Sequence, residues 1–265
     1  MTPPEGAGGA DLPVALRAFE LTGRVAIVTG ASSGLGAGVA RALASVGARV
    51  AVVARRGDRL AALADEVDGL AVAADLLDTD AVAAVVPTVV DGLGPPEILV
   101  NAAGNIFSRE PAEAEALDDV RRTLDLNLVA PFLLAQAVQP HMVEVGRGAV
   151  VNIASIGGIV GVPGIPQASY AAAKAGLSGL TVELAVQWAR HSIRVNTVAP
   201  GFFRSEITDR LYDEEKGRAW LARNTPLPVE AGVDDVVGAV LWLVGDAGRY
   251  VTGQTVVVDG GWTAR

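Results

Sequence analysis

Seven short runs rich in valine, isoleucine and alanine recur along this 265-residue chain, and they restrict its fold more than any other feature. They are RVAIVTG (24–30), RVAVVAR (49–55), GLAVAAD (69–75), EILVNAAG (97–104), GAVVNIAS (148–155), IRVNTVAPG (193–201) and QTVVVDGG (254–261). None alternates apolar with polar, as a strand with one wet face would; continuous apolar character marks strands covered on both faces. Helix-compatible segments separate them, near 34–47, 58–67, 79–92, 117–146, 169–190 and 233–245. Strand–helix alternation throughout predicts an α/β chain, with a doubly wound, seven-stranded parallel sheet, helices on both faces and right-handed crossovers.

No linker divides the chain. The Pro- and Gly-rich opening, residues 1–18, is expected to be a disordered leader ahead of a single domain over 19–265. Residues 202–228, FFRSEITDRLYDEEKGRAWLARNTPLP, are charged and aromatic and fall between the last two strands as an insertion, a candidate substrate lid.

Composition removes several function classes. Apolar residues form 51 % of the chain, enough for a sizeable core, while 21 Lys and Arg against 30 Asp and Glu give a net charge of -9 and no basic surface for nucleic acid. With no cysteine and only His141 and His191, thiol chemistry and multi-histidine metal clusters are excluded, and no metal site is expected. Residues 148–173 carry no charge, yet their glycines and prolines, with Asn152 and Ser155, break any membrane-spanning helix. A cytoplasmic protein without a membrane partner is expected.

In a doubly wound parallel sheet, ligands bind beyond the carboxyl ends of the strands. The polar residues there are Thr29, Arg55, Asp75, Asn101, Ser155 and the Pro200–Gly201 turn. TGASSGLGAG (29–38) follows the first strand and opens the first helix. Glycines there let backbone approach a ligand, and helix N-terminal N–H groups face an anion. Gly30, Gly34 and Gly36, with Ser32, Ser33 and Leu35 between them, therefore point to a dinucleotide site.

Several motifs in order resemble the short-chain dehydrogenase/reductase family, and its 3-oxoacyl-ACP reductase and glucose- or gluconate-dehydrogenase-like members in particular. Thr29-Gly30-Ala-Ser-Ser-Gly34-Leu-Gly36 fits the TGxxxGxG turn, Asn101-Ala102-Ala103-Gly104 resembles NNAG, Tyr170-Ala-Ala-Ala-Lys174 fits YxxxK, and Pro200-Gly201 fits the PG turn. The resemblance implies a single-domain Rossmann fold and a nicotinamide-dependent oxidoreductase acting on a ketone or secondary alcohol. It extends the cofactor set to Asp75 and Leu76 at the adenine, to Asn101, Ala102 and Gly104, to Pro200, Gly201 and Phe203, and to Ser205 at the carboxamide. A homotetramer, or a dimer, built partly on 117–146 and 169–190 is also implied.

The second strand ends Ala54-Arg55-Arg56 rather than in an acid. An acid would repel a 2′-phosphate, whereas arginine grips it, so NADP(H) is favoured over NAD(H). Tyr170 and Lys174, one helical turn apart, share a face. A nearby cation favours the phenolate and lowers a tyrosine pKa from ~10, toward the range of acid–base work. The resemblance adds Lys174 as the nicotinamide-ribose anchor, Ser155 on the substrate oxygen, and Asn127 as holder of a relay water.

Three departures from the family stand out. The stretch from Ser155 to Tyr170 is two residues longer than usual, Ala102 replaces the second Asn of NNAG, and Ser205 replaces a threonine. An NAD-linked sugar or polyol dehydrogenase and a dinucleotide-binding sensor without catalysis remain alternatives.

Overall fold

The computed structural model describes residues 13–204, 208–228 and 230–264. All seven expected strands form. They are β1 (Val25–Thr29), β2 (Arg49–Ala54), β3 (Leu70–Ala73), β4 (Ile98–Asn101), β5 (Gly148–Ile153), β6 (Ile193–Pro200) and β7 (Thr255–Val258). They build one parallel sheet in the order β3-β2-β1-β4-β5-β6-β7. Val28 pairs with Val52 on one side and Val100 on the other, so the winding direction reverses between β1 and β4. A crevice opens at such a reversal beyond the strand ends.

The uniform apolar pattern holds for the inner strands: every residue of β1, β4 and β5 is buried. It fails at the edges. Only Val72 of β3 is buried, and β7 alternates exposed with half-buried residues, because an edge strand has a neighbour on one side only.

Helices cover both faces. On one lie α2 (Gly34–Ser45), α3 (Gly57–Glu66) and α10 (Val233–Val244), packed through Val39, Leu43, Leu60, Val240 and Leu243. On the other lie α4 (Thr79–Leu93), α6 (Ala130–Val145) and α7 (Ala168–Trp188), contributing Val85, Val89, Leu134, Met142 and Leu184. The start of α4 is fixed by the Asp78 carboxylate, which accepts from the N–H groups of Asp80 (2.9 Å) and Ala81 (3.3 Å). Among the described residues, no helix is long and apolar enough to cross a membrane.

Two stretches differ from the sequence expectation. Within the expected leader, Val14–Arg17 form one helical turn, α1, and the Ala18 carbonyl accepts from Ala247 N at 2.9 Å. The segment 117–146 is not one helix. α5 (Leu117–Leu124) meets α6 through a π-type turn over Asp125–Val129, with Asn127 fully buried inside it. Such wide turns insert one residue into a helix and recur at functional sites.

Candidate functional site

The crevice is a cleft of about 440 Å³ at the carboxyl ends of the strands. It is lined by Gly30, Ser32, Ser33, Gly34, Leu35, Gly36, Arg55, Arg56, Asp75, Leu76, Ala102, Gly104, Ser155, Tyr170, Lys174, Pro200, Gly201 and Phe203. The sequence singled out all of these.

The floor is built by close backbone approach. Gly30 has φ +68°, and a Cβ there would lie 2.8 Å from the Ala103 backbone. A Cβ on Gly36 would run into the Gly30 carbonyl. Thr29 ties the ends of β1 and β4 together, its Oγ1 accepting from Ala102 N and Ala103 N at 3.1 Å each. The result is a glycine cradle at the N-terminus of α2, a concave surface that any side chain would fill.

Arg56 lies across this cradle. Its Nη2 donates to Ser32 Oγ (2.9 Å) and Ser33 Oγ (2.7 Å), and its Nε donates to Ser32 Oγ (3.0 Å). Arg55 and Arg56 are exposed at the cleft wall beyond β2. Asp75 lines the same end, with Oδ1 accepting from Leu77 N at 3.1 Å, so its carboxylate also shapes its own turn.

The other end holds the candidate reacting groups. Ser155 leaves β5 with its Oγ accepting from Gly157 N at 3.1 Å. Tyr170 sits in the first turn of α7, and Lys174 lies one turn further on, its Nζ 5.6 Å from the Tyr170 ring centre. Lys174 is only 3 % exposed and donates to Ile153 O at 2.8 Å. Burial pushes its ammonium down to about 7. Ser169 turns away from the cleft and donates through its N–H and hydroxyl to Glu115, so this carboxylate clamps the start of α7.

The phenol of Tyr170 moves opposite to expectation. Burial pushes it up, while a side-chain hydrogen bond with Ser155 and the charge of Arg109 pull against that. With Lys174 held at the Ile153 carbonyl and its own charge disfavoured, the lysine does not overcome the desolvation of the phenolate.

Two expected residues do not line the cleft. Asn101 points into the sheet, donating to Asn152 Oδ1 at 2.9 Å, and Asn152 in turn donates to Thr181 Oγ1 at 2.9 Å. It joins strands and α7; it does not face the cleft. Asn127 sits behind the wall, with Nδ2 donating to Asn105 O (2.9 Å) and Thr123 O (2.8 Å). Its Oδ1 is buried without a partner, and a Cβ on Gly104 would come within 2.8 Å of that atom and 3.2 Å of Lys174 Nζ. Ser205 lies outside the described residues. Sequence reasoning missed Glu115, which sits 54 positions from its partner.

A family model described as "Enoyl-(Acyl carrier protein) reductase" matches residues 30–263. The chain belongs to the short-chain dehydrogenase/reductase family. A gluconate 5-dehydrogenase of Gluconobacter oxydans (strain 621H) is 39 % identical, over 92 % of this chain and 96 % of the relative. A D-threitol dehydrogenase of Mycolicibacterium smegmatis is 37 % identical, over 93 % and 95 %. Among solved structures, a gluconate 5-dehydrogenase from Burkholderia cenocepacia J2315, in complex with NADP and tartrate, aligns with a TM-score of 0.88 at 35 % identity, covering 95 % of this chain and 99 % of that one. As a family member the protein is an NAD(P)-dependent oxidoreductase of the alcohol–ketone class.

Proposed function

We propose that this dehydrogenase uses NADP(H) to interconvert a ketone and a secondary alcohol on a polyhydroxylated substrate of the gluconate type, with Tyr170 as acid and base. One observation carries the reading: Ser155, Tyr170 and Lys174 meet at one end of a cleft whose other end is a glycine cradle bridged by Arg56. The residues fit the cofactor. The cradle around Gly30 and Gly36 admits a pyrophosphate and no side chain, and Arg55 and Arg56 offer cations to a 2′-phosphate. Similarity to gluconate dehydrogenases, one of them with bound NADP, supports both the cofactor and the substrate class.

When bound, the nicotinamide supplies or accepts a hydride. The chain supplies the proton and holds the carbonyl. The Ser155 hydroxyl and the Tyr170 phenol both donate to the substrate oxygen as negative charge develops on it. A phenol kept protonated by burial suits proton donation in the reductive direction. Lys174, one turn from Tyr170, would steady the tyrosinate left behind and would offer its ammonium to the nicotinamide ribose. Asn127, with its unpaired Oδ1 next to Lys174, would hold a water through which the proton is replaced.

The insertion would close over the substrate. It carries helices α8 (Asp209–Asp213) and α9 (Glu215–Asn224), and α9 is joined to the body by an aromatic cluster in which the Trp220 and Trp262 ring centres lie 4.9 Å apart and Phe202 packs on both. Val182 and Val186 of α7 and Phe132 of α6 are exposed; this apolar face supports pairing with a second copy, in a dimer or tetramer.

The test follows reduced-nicotinamide absorbance with 5-keto-D-gluconate and simple ketones, using NADPH and NADH in parallel. The reading expects the polyhydroxy ketone and NADPH to be preferred. Turnover with NADH alone contradicts the cofactor choice, and cofactor binding without any turnover contradicts catalysis.

A further inference from the structure

Gln167 occupies the last position before α7, inside the stretch that is longer than usual for the family. Its side chain lines the cleft and is half-buried. An ideal Cβ built on Gly157 would lie 2.8 Å from Gln167 Nε2 and 3.4 Å from Ser155 Oγ. The carboxamide and the Ser155 hydroxyl therefore flank one point, and the glycine leaves that point open.

Nearby polar side chains have partners of their own. Ser155 Oγ accepts from Gly157 N, Ser169 is held by Glu115, and Lys174 by Ile153 O. Among the described residues, the Gln167 carboxamide has no hydrogen-bond partner. The cleft that Gln167 lines also includes the apolar Ile106, Ile156 and Val162. A carboxamide kept half out of water against such a wall gives up hydration without a protein partner to replace it. A ligand group at the open point would supply that partner. The Glu115 clamp two residues on holds the backbone, so the amide is presented from a fixed element.

The chemistry narrows the ligand group. A carboxamide both donates and accepts, whichever way its two ends are assigned. A hydroxyl also does both; a carboxylate would use only the N–H half. With Ser155 at the carbonyl oxygen, a group reaching Gln167 sits on the neighbouring carbon. We propose that Gln167 is a specificity-determining residue that hydrogen-bonds a hydroxyl on the carbon next to the carbonyl. This rests on the polyhydroxy-ketone reading above.

The test compares wild type with Gln167→Leu, similar in size but without hydrogen-bonding atoms, on acetoin, butan-2-one and 5-keto-D-gluconate. Acetoin and butan-2-one differ by the one adjacent hydroxyl. Gln167→Leu should lower kcat/KM for acetoin and 5-keto-D-gluconate about 10- to 100-fold, mainly through KM, with butan-2-one and NADPH affinity nearly unchanged. Gly157→Ala, whose methyl would displace the carboxamide, should give the same selective loss. An equal loss on all three ketones, or none on the hydroxylated pair, overturns the assignment of Gln167 alone. A wild-type enzyme that prefers butan-2-one to acetoin, or turns over none of the three, overturns the polyhydroxy-ketone reading and the assignment with it.

Discussion

Lys174→Met should inactivate the enzyme and yet stabilise the cofactor-free protein near neutral pH. Lys174 is 3 % exposed, and burial lowers its pKa from 10.5 to about 7. At about 1.4 kcal/mol per pH unit, that difference corresponds to about 5 kcal/mol disfavouring the charged form in the fold. Below pH 7 both native and unfolded chains hold the proton, so the full cost is present. Between pH 7 and 10.5 the unfolded chain alone holds it, so stability rises with pH. Methionine removes the cost but abandons the 2.8 Å bond to Ile153 O, a loss of about 1–3 kcal/mol. The net gain at pH 7 is then about 2–4 kcal/mol, a rise in Tm of about 5–10 °C. Thermal and guanidinium unfolding of both proteins from pH 6 to pH 10 would measure it, and the advantage should shrink by about 1.4 kcal/mol per pH unit above 7. A variant less stable than wild type at pH 7, by a margin that does not change with pH, would refute the reasoning.

Replacing Arg55 and Arg56 together with alanine should weaken NADPH binding about 100-fold and NADH binding only a few-fold, as two charge-assisted contacts to a phosphate are lost; isothermal titration with each cofactor measures the ratio. Gly104→Ala should destabilise the protein by about 1–3 kcal/mol in denaturant unfolding, because its methyl would lie 2.8 Å from the buried Asn127 Oδ1 and 3.2 Å from Lys174 Nζ. Asp78→Ala should cost about 1 kcal/mol through the lost cap of α4, with NADPH affinity unchanged in the same titration.

The parts of this molecule written in local patterns were readable from the chain. The apolar runs of β1 and β5 announce strands covered on both faces, and Gly30-x-x-x-Gly34-x-Gly36 announces a crowded turn. Tyr170 and Lys174 are one turn apart, so helical geometry alone brings them together. What stayed hidden depends on partners distant in sequence. Asn101 looks like a cleft residue until Asn152, 51 positions away, draws it into the sheet. Glu115 has no motif around it, and only folding brings it to Ser169. The π-type turn at Asn127 is invisible to a 3.6-residue period. The direction of the Tyr170 phenol depends on burial, whereas spacing counts only the neighbouring charge.

In the proposed mechanism Tyr170 delivers the proton while the glycine cradle and arginines of the cleft hold the cofactor. Tyr170→Phe separates the two roles, since it removes one oxygen and little else. NADPH affinity of this variant should match wild type while ketone reduction falls at least about 100-fold, the scale of a lost general acid. A phenylalanine variant that reduces the ketone at the wild-type rate would contradict the account.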